Sequence, residues 1–352
     1  MNSNPRSSLE SGQLSGKRKR LLLALAGLLA LGLTLSLIYI DYRLFLDTPL
    51  NVPADGQVLE VRPGMGIGDI AQDLQQRLGL SRPALYLEAY TRLNGLAHRL
   101  KTGEYALAPG ITLETLIDRI VAGQVIQYPL TVVEGWTFRQ LRQALTKHPK
   151  LAQTLQGLSD AEVMARLGRP GEHPEGRFLP DTYHFPAGFT DEAFLRRSLT
   201  AMDRRLAEVW SRRTPDLPLD DAYQALILAS IVEKETGLPA ERPEVAGVFV
   251  RRLRKGMLLQ TDPTVIYGLG EAFNGDLTRR DLMADTPYNT YTRKGLPPTP
   301  IALPGTEALN AAVHPASGEA LYFVADGTGG HVFSRTLDEH NRAVRRYQSL
   351  ER

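Results

Sequence analysis

Three stretches in the first half of the chain share one spacing of apolar residues. Each follows a glycine (Gly64, Gly110 or Gly135), and apolar residues come three, six and ten positions later. This spacing puts the apolar side chains on one face of a helix that begins just after a glycine turn. The pattern predicts three strand–turn–helix units, capped by Gly66, Thr112 and Thr137. The apolar faces consist of Ile67, Ile70, Leu74, Leu113, Leu116, Ile120, Phe138, Leu141 and Leu145.

A helix that is apolar on all sides is predicted in the second half of the chain. Residues 225–232 are apolar except for Ser230, which is typical of a helix buried all round. Asp220 is the expected N-cap, and Gly237 with Pro239 just beyond it is the expected stop. An amphipathic helix is predicted before it over residues 191–212.

The remaining segments are predicted from their turn formers and periods. Pro243 opens a helix that stops at Gly256, with an apolar stripe on one face and a basic run that complements its dipole. Pro180 and Pro186 exclude a regular helix over 174–186. The other predictions are a helical connector over 151–167, loops over 257–304, a hairpin pairing 322–325 with 331–333, and a closing helix over 335–349.

The N-terminal region predicts a membrane anchor. Four consecutive basic residues at 17–20 precede residues 21–40, which contain no charge and are long enough to span a bilayer. The basic flank predicts that residues 1–20 stay in the cytoplasm, with 1–16 disordered. A cleaved signal peptide is the alternative, but its apolar region would be shorter and no small-x-small cleavage site follows. The assignment is a tail over 1–20, a transmembrane anchor over 21–41 and a linker over 42–52.

Composition narrows the classes of function. The chain of 352 residues is 43% hydrophobic and 23% charged, and it has no cysteine, which excludes disulfides and thiolate chemistry. The net charge is +2, but the first twenty residues carry +4, so the remainder is about −2, which argues against nucleic-acid binding. Phosphate-loop, HExxH and Gly-x-Ser-x-Gly motifs are missing from the sequence. His314, His331 and His340 with Asp326 match no metal-ligand spacing, so no metal or cofactor is predicted.

The end of the buried helix carries the candidate chemistry. Glu233 and Glu235 lie about 200° apart around a helix, so only one of them can face a given cleft. A carboxyl held against apolar walls has a raised pKa and can act as a general acid. Glu235 is preferred because Ile231 and Leu228, four and seven residues before it, form larger walls than those behind Glu233. A carboxyl acid among aromatic and amide side chains indicates glycosidic bond cleavage.

Nine features in order resemble the endolytic murein transglycosylases of the MltG (YceG-like) family across nearly the whole chain. They are the anchor, the repeat region, EGRFLPDTYHF, ASIVEKET, LQTDPTVIYG, YNTY, GLPPTPI, HPA and LYFVADGTGGH. The resemblance implies an α+β fold: a single N-terminal transmembrane helix, a small LysM-like α/β repeat domain over 53–150, and a mixed catalytic domain over 151–352 with a lysozyme-like helical core. It implies a peptidoglycan lyase that cleaves between N-acetylmuramic acid and N-acetylglucosamine and leaves 1,6-anhydro ends.

The resemblance also implies the site. Glu235 is the expected catalytic acid, with Glu233 as the alternative. The expected substrate-binding residues are Gln260, Thr261, Asp262, Tyr288, Asn289, Tyr291, Asp181 and Tyr183. The expected partners are glycan strands, the cytoplasmic membrane and peptidoglycan synthases, with the catalytic body outside the cytoplasm. Two alternatives remain open at this point: a non-catalytic peptidoglycan-binding scaffold, and a hydrolytic muramidase that uses Asp262 or Glu233 as a second carboxylate.

Overall fold

The computed structural model describes residues 16–80 and 84–347 of the chain. The predictions for residues 1–15 and for the end of the closing helix at 348–349 lie outside the described residues. The α-helices are α1 (Gly16–Asp47), α2 (Ile67–Leu78), α3 (Ala84–Leu93), α4 (Leu113–Ala122), α5 (Phe138–Lys147), α6 (Asp160–Arg166), α7 (Asp191–Ser211), α8 (Ala222–Glu235), α9 (Arg242–Arg254), α10 (Asp262–Leu269), α11 (Arg279–Met283), α12 (Thr306–Val313) and α13 (Leu337–Tyr347). The strands are β1 (Gln57–Val61), β2 (Gly103–Leu107), β3 (Tyr128–Thr131), β4 (Leu151–Ala152), β5 (Thr182–Phe185), β6 (Phe189–Thr190), β7 (Tyr322–Ala325) and β8 (His331–Ser334). The fold is therefore mixed α+β with one long N-terminal apolar helix.

The three predicted strand–turn–helix units are confirmed as local structure. Helices α2, α4 and α5 begin directly after Gly66, Thr112 and Thr137. The hydroxyls of both threonines accept a hydrogen bond from a backbone N–H of the first turn. All nine apolar residues of the pattern are buried. Apolar period and capping residues were sufficient to predict where these helices begin and which face is buried, because both signals act within a few residues of the chain.

The chain divides into two compact units between Ile126 and Gln127, whereas the predicted domain boundary lies at residue 150. The first two strand–turn–helix units share one unit, where β1 and β2 pair antiparallel from Gln57↔Leu107 to Val61↔Gly103. The third differs because β3 pairs with β5, which lies far along the chain. Its helix packs Phe138 against Phe178, with ring centroids 5.0 Å apart. Pairing across this sequence distance moves the third repeat into the second unit.

The segment after the apolar stretch also differs from the predicted linker over 42–52. Helix α1 runs on to Asp47, and Leu46 is fully buried in the core of the first unit. The backbone N–H of Leu50 then donates to the carbonyl of Ile111 at 2.8 Å. The apolar helix is therefore continuous with the first unit's core. By length and composition α1 can cross a membrane, and a signal sequence would pass the same test.

Helix α8 forms the centre of the second unit's core, as its composition predicts. Residues 225–232 are all buried, and α7, α9 and α12 pack around them. The one polar residue, Ser230, donates to the carbonyl of Ile227 at 2.7 Å and accepts from the N–H of Ile301 at 3.0 Å. The caps are each one residue from the predicted ones: Asp221 is the N-cap, and Thr236, in an extended conformation, is the C-cap.

Two other predictions need correction. The predicted helical connector over 151–167 contains a short strand, β4, and only one short helix, α6. The carboxylate of Asp191 accepts hydrogen bonds from the N–H groups of Thr154 and Leu155 at 2.8 and 3.1 Å, which holds this segment at the start of α7. The predicted loop region 257–304 contains α10 and α11, which are too short to show a helical period. The predicted hairpin, by contrast, is confirmed as β7 and β8.

Candidate active site

The C-terminal end of α8 opens into a cavity of about 600 Å³ in the second unit. Its walls come from α8, the end of α9, the start of α10, the loop after α11 that contains Tyr291, the β7–β8 hairpin and α13. The polar residues that line it are Glu235, Arg252, Gln260, Asp262, Tyr291, Tyr322, His331, His340 and Asn341. Elements from six parts of the sequence therefore meet around Glu235.

Glu235 is the last residue of α8, and its partly buried side chain lines the cavity. The hydroxyl of Thr261 donates to its Oε1. Burial is the largest influence and raises the pKa of Glu235 to about 7. The Thr261 hydroxyl, His331 and Arg252 act to lower it, and the nearby Asp262 acts to raise it. This carboxyl can therefore hold a proton near neutral pH, as a general acid requires.

Glu233 lies elsewhere and both its oxygens are occupied. Its side chain is 5% exposed and forms an ion pair with Arg242 at 2.9 Å. Its other oxygen accepts from the N–H of Gly305 at 2.9 Å. Burial raises its pKa, while the Gly305 N–H and Arg242 oppose that effect. Glu233 does not line the cavity that contains Glu235, so the two carboxylates face different surroundings, as their helical spacing predicts.

Gln260 and Thr261 are held beside Glu235 by a backbone conformation that few residues adopt. Gln260 has φ of 50°, in the left-handed region, which costs a non-glycine residue about 1 kcal/mol. Its N–H donates to the carbonyl of Thr290 at 3.1 Å, and the N–H of Thr261 donates to the Thr290 hydroxyl at 3.1 Å. Gln260 lines the cavity, while the side chain of Thr261 is buried against the acid. Backbone strain at a cavity wall is typical of functional sites.

Asp262 and Tyr291 form a second polar pair in the cavity wall. The hydroxyl of Tyr291 donates to Oδ1 of Asp262. Burial raises the pKa of the Tyr291 hydroxyl, and the hydrogen bond to Asp262 adds to the effect. The tyrosine therefore remains a neutral donor near neutral pH. Both residues were among the predicted substrate-binding side chains, and both line the cavity.

Asn289 and Tyr288 lie in the same loop but do not line the cavity. Asn289 is 1% exposed. Its amide donates to the carbonyls of Asp281, Leu282 and Ala284, and its oxygen accepts from the N–H of Tyr291 at 2.8 Å. Tyr288 bonds Thr299 through its hydroxyl at 2.8 Å and packs edge-on against Tyr267. In this geometry Asn289 shapes the loop that presents Tyr291.

The two remaining predicted residues, Asp181 and Tyr183, line a separate concavity of about 730 Å³ along α7. Tyr183 is buried, and its hydroxyl donates to the carbonyl of Leu179 at 2.8 Å. Neither residue lines the cavity of Glu235. The aromatic residues of segment 174–186, Phe178, Tyr183 and Phe185, are buried in one core with residues of α5 and α7.

Several residues of the cavity were not predicted. Arg252 is 7% exposed and donates to the carbonyls of Leu259 and Leu321, both at 2.7 Å. Its guanidinium lies 5.0 Å from the centre of the Tyr322 ring, on which the His340 ring also stacks. The sequence placed Arg252 in a basic run at a helix end, where dipole complementation explained it. The contacts of Arg252 with Leu321 and Tyr322 join residues about 70 positions apart, so no local pattern marks them.

A buried carboxyl outside the cavity was also missed. Glu175 is 3% exposed, and burial raises its pKa to about 7. It accepts from the N–H of Phe138, the first residue of α5, at 3.0 Å and from the hydroxyl of Tyr267 at 3.1 Å. Glu175 therefore joins α5 to α10. Among residues 16–80 and 84–347, no group of three or more His, Cys, Asp or Glu side chains is arranged to hold a metal ion.

The fold places Glu235, a carboxyl with a raised pKa, at the end of a buried helix in the wall of a polar cavity. The sequence profile of the YceG-like family matches residues 59–346, which is most of the chain. The chain therefore belongs to the YceG-like family, as the motifs predict.

Relatives and a solved structure agree with this assignment. The chain is 30% identical over 308 residues to the endolytic murein transglycosylase of Bacillus subtilis strain 168, covering 83% of this chain and 84% of that protein. It is 27% identical over 351 residues to the endolytic murein transglycosylase of Streptococcus pneumoniae D39, covering 87% of this chain and 61% of that protein. The crystal structure of a YceG-like protein from Listeria monocytogenes is 31% identical with a TM-score of 0.52, covering 82% of this chain and 99% of that one.

Proposed function

We propose that this chain is a lyase that cuts peptidoglycan glycan strands internally, an endolytic murein transglycosylase with Glu235 as its catalytic group. The observation that carries the proposal is the position of Glu235: a carboxyl with a pKa of about 7 in the wall of a polar cavity. Family membership and the names of the relatives from Bacillus and Streptococcus support the substrate class.

The proposed mechanism uses one carboxyl twice. Protonated Glu235 donates its proton to the oxygen between N-acetylmuramic acid and N-acetylglucosamine, and that bond breaks. The resulting carboxylate takes the proton of the muramic acid C6 hydroxyl, whose oxygen bonds to C1 and closes the 1,6-anhydro ring. The proton returns to Glu235, so the cycle consumes no water. The attacking oxygen belongs to the same sugar, which replaces the positioning that a second carboxylate gives to water.

The surroundings of the other carboxylates favour a lyase over a hydrolase. The carboxylate of Glu233 forms a buried ion pair with Arg242 and does not line the cavity. Asp262 shares the cavity, but its Oδ1 is engaged by the Tyr291 hydroxyl. Gln260, Asp262 and Tyr291 line the cavity and are proposed as substrate-binding residues. Thr261 is proposed to lower the pKa of Glu235, and Asn289 to hold the loop that contains Tyr291. We propose no substrate contact for Tyr183, whose hydroxyl is used internally.

Helix α1 and the first unit are proposed to hold the enzyme at its substrate. Helix α1 acts as an uncleaved anchor in the cytoplasmic membrane, with the basic cluster at 17–20 inside and the body outside the cytoplasm. The repeat region of the first unit acts as a LysM-like module that contacts glycan strands, and the core around α8 is proposed to be lysozyme-like. Supporting features are the repeated strand–turn–helix units and the buried helix that ends in the acid.

The products of the reaction test the proposal. The full chain in detergent is incubated with purified uncrosslinked glycan strands, and the fragments are analysed by mass spectrometry. Lyase products end in 1,6-anhydro-muramic acid and are lighter than hydrolysed ends by one water. Glu235→Gln should lose roughly 10²–10⁴-fold in rate, because an amide neither donates nor accepts the catalytic proton. Glu244→Gln is the matched control, since Glu244 is an exposed residue of α9 outside the cavity.

Each alternative has its own outcome. Reducing ends in place of anhydro ends would identify a muramidase and make Asp262 the second carboxylate. Binding of strands without any cleavage by the wild type would identify a scaffold. An active Glu235→Gln variant would remove Glu235 from the mechanism.

A further inference from the structure

A carboxylate–imidazole pair lies at the wall of the Glu235 cavity and has no part in the proton transfers proposed above. Glu241 accepts from the backbone N–H of His331 at 2.9 Å, and its Oε2 lies 2.8 Å from Nδ1 of the His331 ring. The hydroxyl of Thr236 donates to the same Oε2 at 3.3 Å. Because Thr236 directly follows Glu235, the pair is joined to the end of α8 that carries the acid.

The pair fixes the position and the tautomer of the imidazole. A carboxylate can only accept, so Nδ1 carries a proton and Nε2 is the nitrogen available to a ligand. The hydrogen bonds from His331 outweigh the effect of burial and lower the pKa of Glu241, which keeps it ionised. The rings of Phe323 and Phe333 pack beside the imidazole, with centroids 5.3 and 6.5 Å away. The ring of His331 is therefore oriented in advance in the cavity wall.

We propose that His331, oriented by Glu241, is a substrate-positioning residue whose Nε2 binds a hydroxyl or acetamido group of the sugar next to Glu235. This inference rests on the proposed function. Amino sugars offer both donors and acceptors, and imidazole Nε2 accepts when neutral and donates when protonated. A carboxylate behind the imidazole favours one orientation, as in other sites where a carboxylate orients a histidine.

His331 also acts on the acid, through the charge of its protonated ring. The charged and titratable groups that influence Glu235 come from several elements. They are Arg252 from α9, Asp262 from α10, Tyr291 from the loop after α11, and His331 from β8. Tyr322 and His340 line the same cavity. A positive charge on His331 favours the ionised form of Glu235 and so lowers its pKa. Loss of that charge should move the alkaline limb of the kcat/KM profile to higher pH.

Two substitutions separate a substrate contact at Nε2 from a structural role at Nδ1. His331→Asn keeps an amide near the position of Nδ1, where it still bonds Glu241, but has nothing at Nε2. His331→Gln reaches the position of Nε2 but loses the bond to Glu241. Each is made in an active background and in the Glu235→Gln background. Binding of a tetrasaccharide of alternating N-acetylglucosamine and N-acetylmuramic acid is measured by calorimetry, and kcat/KM is measured against pH.

His331→Asn should weaken tetrasaccharide binding about tenfold, the effect of one hydrogen bond. It should also move the alkaline limb of the kcat/KM profile to higher pH, while the melting temperature stays near that of the wild type. His331→Gln should bind the tetrasaccharide more tightly than His331→Asn. Glu241→Gln keeps an acceptor for Nδ1 and leaves Nε2 in place, so it should bind the tetrasaccharide more tightly than His331→Asn. The control is His314→Asn, since His314 is exposed and lies outside the cavity.

The proposal is overturned if His331→Asn keeps wild-type binding and an unchanged limb. It is also overturned if His331→Gln is the weaker binder, because the role would then lie in the bond to Glu241. If the wild type yields no anhydro products, the proposed function fails instead. If the wild type yields anhydro products and His331→Asn shows wild-type binding and an unchanged limb, this inference is refuted and the proposed function stands.

Discussion

Replacing Thr261 by valine should move the pH range in which the enzyme works. Valine has nearly the shape of threonine, and Thr261 is 1% exposed, so the change removes one hydroxyl from a packed site. That hydroxyl donates to Oε1 of Glu235 and favours its ionised form, which lowers the pKa of the acid. Its loss therefore raises the pKa of Glu235.

The size of the change follows from the kind of bond that is lost. A hydrogen bond to a charged group contributes about 1.5–3 kcal/mol. One pKa unit corresponds to about 1.4 kcal/mol. The wild-type value of about 7 should therefore rise by roughly one to two units in Thr261→Val. Because the acid works when protonated, kcat/KM falls as the pH rises through this pKa, and the falling limb should move upward by the same amount.

The assay is the rate of formation of anhydro ends from soluble glycan strands, measured against pH. Thr264→Val is the matched control, since Thr264 is also fully buried but its hydroxyl donates to the carbonyl of Thr261 at 2.8 Å. The control should lower the melting temperature and leave the limb in place. A Thr261→Val profile that superimposes on the wild type would refute the assignment of Glu235 as the acid that titrates near neutral pH.

Two further substitutions test the roles of neighbouring residues. Glu233→Gln should lower the free energy of unfolding by about 3 kcal/mol in a denaturant titration, because it leaves the buried Arg242 poorly paired, while the folded variant still forms anhydro ends. Lost activity with unchanged stability would instead place Glu233 in the reaction. Asn289→Ala should cost about 2–3 kcal/mol of stability, since its amide and oxygen bond backbone groups of the Tyr291 loop. Wild-type stability with weakened strand binding would show that Asn289 contacts the substrate directly.

The sequence by itself determined the features that depend on neighbours within a few residues. The helices of the repeat region begin at their predicted caps, and α8 is buried over 225–232 as its composition indicates. The face of Glu235 followed from helical geometry, which sets it apart from Glu233 without reference to the rest of the chain. The motifs likewise identified the family before any fold was known.

The tertiary structure decided which distant residues meet. Strand β3 pairs with β5 and not within the first unit, which moved the unit boundary to Ile126. Arg252 and His331 reach the cavity through contacts with residues many positions away, and Asn289 turned inward although its loop is polar. Period and capping act over one or two turns, whereas these placements depend on how whole elements pack. Contacts between residues far apart in the sequence leave no local pattern, so only the folded chain shows which residues meet.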